Sequence, residues 1–360
     1  MKKLSILFFS LFFISISSQE NIKYQKPSKE ILDLVEFERP PSILYDENKN
    51  FMLFLFRDNY KSIAELSAKE LRLGGLRIDP KTNIGSRITY YNNVKIRNLK
   101  NQKSEITQVK GLPKNPKLSN ISWSPDQKRI ALTNTTETGV ELWVLELENG
   151  SVTKLTEPNL NSNIGSVINW FSDSENMLVK MISNNRRPLI DTNKIVPDGP
   201  TISTNFGEKA QNRTYQDLLK NKFDEHNFEQ LSTSTIYKVS IDGSVKKWMD
   251  DGMYRTISFS PNGEYVMISQ INKPFSYLVT YSRFPTETNI YNKDGDFVSN
   301  LQKVPLIEEL PKGFMSVRTG KRSFSWRPDK GASLTYVTAL DSGDPSKKVD
   351  FRDEVYELNY

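Results

Sequence analysis

The chain has 360 residues, no cysteine, one histidine and a formal net charge of +6. Without cysteine there are no disulfides, thiolate metal sites or Cys nucleophiles, so stability has to come from a buried core. Lys and Arg are scattered, gathering only into pairs such as Arg186–Arg187, Lys246–Lys247 and Lys347–Lys348, which excludes the clustered charge of a nucleic-acid binder.

The N-terminus reads first. Lys2 and Lys3 precede an apolar run from Leu4 to Ile16, and Ser17, Ser18 and Gln19 follow. The run is short for a membrane span and has the proportions of a signal peptide over residues 1–18. The expected product is exported, periplasmic or extracellular, with no stable membrane anchor; an uncleaved N-terminal anchor is the alternative. Removal of Lys2 and Lys3 lowers the charge to +4.

From there the chain repeats itself. "SILYDENKNFMLFL" (42–55) is followed by "SWSPDQKRIALT" (122–133), "NWFSDSENMLVKM" (169–181), "SFSPNGEYVMIS" (258–269) and "SWRPDKGASLTYVT" (325–338). The last four put an aromatic ring (Trp123, Trp170, Phe259 or Trp326) before a polar turn and an apolar strand; the first is a weaker copy. Pro125, Pro261 and Pro328 preset the turn, while Asp126, Asn262–Gly263 and Asp329 supply its polar residues.

A second hairpin follows most copies, in "ELWVLELENGSVTKLT" (141–156), "TIYKVSIDGSVKKWM" (235–249) and "NIYNKDGDFVSNL" (289–301). Asn-Gly or Asp-Gly at each tip favours positive φ. "VKIRNLKNQKSEITQV" (94–109) is a looser version. Two successive hairpins make a four-stranded antiparallel unit, and its recurrence every 45 residues or so, or more, predicts β-propeller blades. The predicted fold is all-β: blades at 42–110, 118–156, 165–249 and 254–301, and part of a fifth from 322. An unrelated β-sandwich is the alternative, but it leaves the recurring phrase unexplained. The final "VYELNY" (355–360) aligns with "IYKVSI" (236–241), so the chain is expected to stop inside its fifth blade.

Two helical insertions interrupt the pattern, at about 57–89 and 184–231. In the first, Ser62 and Glu65 have capping-box spacing and Gly74–Gly75 is placed to end the helix. In the second, Thr214 and Asp217 have capping spacing, and Tyr215, Leu218 and Leu219 share a helical face. Such insertions line a rim, touch another domain or decorate the surface.

Catalytic machinery is not visible. The G-x-S-x-G elbow is missing; "GASLT" at 331–335 lacks its second glycine. The lone histidine, His226 in "DEHNFEQL", reads as a surface or helix-packing residue. "NKDGDF" (292–297) lacks the distal Glu of a calcium loop and reads as a blade turn. Asp224–Glu225 and Glu308–Glu309 are neighbours along the chain and read as solvated pairs. No catalytic residue, metal ligand or cofactor is expected, and no substrate-binding residue is assigned.

The phrases "ELRLGGLRIDPKTN", "VPDGPTIST", "RTYQDLLKNKFDEHNFE", "RFPTETNIYNKDG" and "SVRTGKRSFSWRPDK" resemble the propeller of glutamyl endopeptidases, serine peptidases of the prolyl oligopeptidase family. The resemblance runs from Tyr24 to Tyr356; Lys273 and Ser342 depart from it, standing where the family typically has Arg and Gly. It implies a seven-bladed propeller over a C-terminal α/β-hydrolase domain, which this chain lacks and whose triad has no counterpart here. The expected role is the non-catalytic, substrate-gating portion of an exported peptidase, with peptides or proteins as substrates and its own hydrolase domain as partner. A stand-alone periplasmic binding or scaffold propeller is the alternative, and a pseudo-peptidase a third. Cleavage after Glu implies a cationic pocket; Arg213, Arg318 and Arg322 are candidates for a charged rim or domain contact, and salt bridges within the propeller explain them equally.

Overall fold

The computed structural model describes residues 25–101, 103–191, 194, 207 and 215–360. The expected signal segment at 1–18 lies outside them, as do Arg213, Thr214 and the phrase at 196–204. The chain divides into two compact units, Met1–Arg39 and Pro40–Tyr360. In the first, α1 (Lys29–Val35) has no buried residue, and its N-cap Ser28 makes no side-chain capping bond. No helix of the described residues is long and apolar enough to cross a membrane.

The second unit is mostly β. β1 (Ser42–Tyr45) and β2 (Phe51–Phe56) form a hairpin; the short helix α2 (Ile63–Leu66) and a small sheet of β3 (Leu71–Leu73), β4 (Leu76–Asp79) and β5 (Ile84–Gly85) follow. β6 (Asn93–Asn98) and β7 (Thr107–Gln108) then return to complete sheet I, ordered β1-β2-β6-β7. Sheet II is a plain meander of β8 (Leu118–Trp123), β9 (Arg129–Thr135), β10 (Val140–Glu146) and β11 (Ser151–Lys154).

Sheets III and IV share a strand. β12 (Ile168–Trp170), β13 (Asn176–Ile182) and, after helix α3 (Lys222–Ser232), β14 (Ser234–Ser240) pair in order. The long β15 (Val245–Phe259) pairs with β14 through its first half and with β16 (Tyr265–Ile271) through its second. β17 (Thr286–Asn292) and β18 (Phe297–Val304) complete sheet IV. β19 (Arg322–Trp326), β20 (Ser333–Ala339) and β21 (Asp353–Asn359) form the three-stranded sheet V.

Four cores lie between consecutive sheets. Leu53 and Ile96 of sheet I pack with Leu118 and Leu132 of sheet II. Leu142 and Val144 of sheet II meet Trp170 and Val179 of sheet III. Leu178 and Ile236 of sheet III meet Ile257 and Val266 of sheet IV, and Met267 and Ile290 of sheet IV meet Trp326 and Leu334 of sheet V. Each inner sheet is therefore covered on both faces, and burial of these rings and branched chains is the main stabilising term.

The first-hairpin turns touch in the same order. Glu47 N–H donates to the Gln127 side chain at 3.2 Å, Asp126 N–H to Ser174 Oγ at 2.9 Å, and Asn262 N–H to the Gly331 carbonyl at 3.0 Å. Between them, Gly263 adopts φ +74, and a Cβ there would lie 2.2 Å from Ser172 Oγ. Within the turns, Ser124 and Ser260 hydroxyls donate to Asp126 and Asn262, both at 2.7 Å.

Both insertions differ from expectation. Ser62 and Glu65 do form a capping box, yet α2 stops at Leu66, and Gly74–Gly75 turn the β3–β4 hairpin instead. A Cβ on Gly75 would sit 2.7 Å from Thr280 Cγ2, so only glycine fits that turn. In the second insertion Asp217 has φ +59, outside any helix; α3 starts later, with Asn221 accepting from Phe223 and Asp224 N–H. Asp217 instead ties the two insertions together: its carbonyl accepts from Gly75 N–H at 2.8 Å and its carboxylate pairs with Arg77 at 2.6 Å. Leu73, Ile78, Phe228, Leu231 and Phe284 form their common core with the loop at 272–285.

Candidate functional site: an arginine-lined cavity

One row of sheet IV is polar across all four strands: Thr256 pairs with Ser269, Ser269 with Thr288, and Thr288 with Gln302. Alternation along each strand puts this row on the same face as Met267 and Ile290, which pack on sheet V. The space between the two sheets is thus apolar at one end and lined by hydroxyls at the other. The polar end opens into a cavity of about 440 Å³.

Three arginines line it: Arg255, Arg318 and Arg322. Two of them stand at strand irregularities. The β15–β16 register slips between Tyr254 and Thr256, leaving Arg255 as the unpaired residue, and the β19–β20 register slips between Arg322 and Ser325, where Ser323 has φ +57. Bulges re-aim side chains in this way. Arg318 comes from the loop after β18 and donates through Nη2 to Gln302 Oε1 at 3.0 Å, at the end of the polar row.

The charge of the cavity is unbalanced. Among the described residues, no Asp or Glu lines it, and neither Arg255 nor Arg318 forms an ion pair. Arg255 donates to the Ser282 carbonyl at 3.2 Å, and Arg318 to that of Thr319 at 3.0 Å. Arg322 pairs with Asp353 through Nη2, while its Nε is buried without a hydrogen-bond partner among the described residues. Burial, and then the charge of Arg322, hold the Arg318 pKa below the usual guanidinium range.

The structure places Arg318 and Arg322 on one cavity, and Arg322 makes a salt bridge within the chain, to Asp353. Arg213 lies outside the described residues. Arg255 is the residue that sequence reasoning missed; a bulge in mid-strand leaves no mark in the apolar pattern. His226 donates through Nε2 to the Pro188 carbonyl at 2.9 Å, pinning α3 to the preceding segment. Glu225 pairs with Lys222 at 3.0 Å, and Glu308 accepts from Ser276 at 2.5 Å. At 292–297, Asn292 closes its own turn, its Oδ1 accepting from Asp294 and Asp296 N–H.

No protein-family model matches the chain. It is 33% identical over 348 residues to the probable chloroplastic glutamyl endopeptidase of Oryza sativa subsp. japonica, covering 93% of this chain and 37% of that protein. It is 32% identical over 349 residues to the protein of the same name from Arabidopsis thaliana, covering 92% of this chain and 35% of that one. The chain thus spans little more than a third of the length of the curated relatives it matches. Among solved structures it is similar to an acylaminoacyl peptidase from Pyrococcus horikoshii, with TM-score 0.40, 15% identity, 90% of this chain and 38% of that one. The propeller domain of the Trilobed protease from Pyrococcus furiosus gives TM-score 0.37 and 12% identity, over 89% of this chain and 70% of that one.

Proposed function

We propose that this chain, a homologue of the glutamyl endopeptidases over 93% of its length, is the propeller portion of an exported serine peptidase. In this reading sheets I to IV are four blades and sheet V is part of a fifth. They screen peptides on the way to a hydrolase domain that follows in the full protein. That hydrolase carries the acyl-transfer chemistry: serine attack, histidine as base, and backbone N–H donors on the oxyanion. The propeller contributes no reacting group; it limits which chains reach the serine. The observation that carries the reading is the homology along nearly the whole chain, and the sheet order agrees with it.

The test uses the protein made from its intact gene. A fluorophosphonate, which reacts with activated serines, is expected to label an exported species well above 41.5 kDa that hydrolyses peptides. No labelling, together with no G-x-S-x-G within about 400 residues downstream, would overturn the reading. One observation favours the alternative, a stand-alone periplasmic binding propeller: the arginine-lined cavity offers a place for a ligand. An unlabelled, folded protein of this mass that binds a ligand would select it.

A further inference from the structure

We propose that the cavity between sheets IV and V is a binding site for a small oxyanion, a group carrying two or more anionic carboxylate or phosphate oxygens. The proposal does not rest on the peptidase reading, because it is argued from the residues of the cavity themselves.

Three observations carry it. First, among the described residues the cavity gathers three guanidinium groups and no carboxylate in its lining. Asp353 offsets one of the three from outside the lining, leaving an excess of two positive charges over a small volume. Like charges brought together and partly desolvated are costly unless an opposite charge joins them. Guanidinium groups present forked N–H donors that match carboxylate and phosphate oxygens. Second, donors remain unspent. Arg322 Nε is buried without a partner among the described residues, and Arg255 gives only Nη1 to a carbonyl. Thr288 donates its hydroxyl to Ser269 at 3.2 Å, so the Ser269 proton is left to point elsewhere. Third, the volume of about 440 Å³ falls in the range of small-molecule sites, about 300–1,000 Å³. The lining residues Thr256, Ser282 and Ser323 are exposed and keep the cavity open to water.

The experiment is titration calorimetry on the protein from the intact gene, with citrate, inorganic pyrophosphate and a Glu-containing peptide as separate probes. Citrate or pyrophosphate is expected to bind in the micromolar to sub-millimolar range, more weakly as salt rises, and the two arms tell carboxylate from phosphate. Arg255→Gln and Arg318→Gln should each weaken binding about tenfold or more. Lys246→Gln, far from the cavity along β15, should leave binding unchanged. A second readout needs no variant. Phenylglyoxal modification of Arg255 and Arg318, mapped by peptide mass, should slow in the presence of the bound probe, while that of Arg72, with 56% of its side chain exposed, should not. Absence of binding by both small anions, binding by the peptide alone, or equal binding to wild type and both arginine variants would each overturn the proposal.

Discussion

The Trp326 indole Nε1 donates to the Ser258 carbonyl at 3.1 Å, and Trp170 makes the corresponding bond to Ser122 at 3.2 Å. In each case the acceptor is the residue just before the aromatic of the preceding repeat, Phe259 or Trp123. A motif that looks local therefore holds the next sheet in place. The repeated phrase is a rung between sheets as well as the start of a hairpin.

This relationship predicts the outcome of Trp326→Phe. The ring volume shrinks and the Ser258 carbonyl, which still faces Met267 in the β15–β16 ladder, loses its second donor, at a cost of about 0.5–1.5 kcal/mol for the bond plus the packing loss. Urea unfolding followed by far-UV circular dichroism should show a lower midpoint at unchanged slope. Trp170→Phe should behave alike. An unchanged midpoint in both variants would show that the indole N–H contributes nothing.

Gly263 sets up a sharper case. Its φ of +74 disfavours any side chain, and a Cβ would press on Ser172 Oγ at 2.2 Å and Ser172 Cβ at 2.9 Å. Gly263→Ala should cost about 1–3 kcal/mol. Adding Ser172→Gly removes the clash but leaves the strained backbone, so the double variant should recover only part of the loss. A double-mutant cycle by denaturant melts measures the coupling; zero coupling would mean that the two turns do not touch.

Phe228 connects the insertions to the sheets. It is fully buried and meets Phe275 and Phe284 edge-on, at centroid distances of 5.1 and 5.5 Å. Gly74 lies against the same ring, where a Cβ would be 3.4 Å from Cε2. Phe228→Ala should cost about 3–5 kcal/mol and loosen the β3–β4 hairpin along with α3. Amide exchange over 71–79 and 222–232 should accelerate together, while exchange over 129–146 should not.

What could be read from the sequence follows from what each device leaves in the text. The hairpin turns were legible because Asn-Gly and Asp-Gly at 149–150, 242–243 and 294–295 announce positive φ, and each of these glycines has it. The central strands were legible as strands but not as amphipathic ones: β9 and β13 are buried almost throughout, since a neighbouring sheet covers each face. Helix limits failed where tertiary contacts outweighed capping signals. Asp217 at helical spacing from Thr214 was taken by Arg77 and Gly75 instead. The cavity was only half legible. Arg318 and Arg322 stand four residues apart in a distinctive phrase, whereas Arg255 owes its place to a one-residue bulge that no composition signals.

Lys180 gives the last prediction, through pH. It sits in β13 at 2% exposure, its Nζ donating to the Ile164 carbonyl, with no carboxylate of the described residues paired to it. Burial pushes its pKa from 10.5 down to about 7, since a dry interior penalises the charged form. Between those two values the unfolded chain holds a proton that the folded one does not, so this residue makes stability rise with pH across that interval and adds a constant penalty below it. Lys180→Met removes the titration but strands the Ile164 carbonyl, leaving a net gain of about 1–3 kcal/mol at pH 7. The advantage of the variant should then shrink by about 1.4 kcal/mol per pH unit above 7 and reverse in alkaline buffer. Parallel urea melts of both proteins at neutral and alkaline pH measure it, and a difference that stays constant with pH would mean that Lys180 is charged in the folded protein.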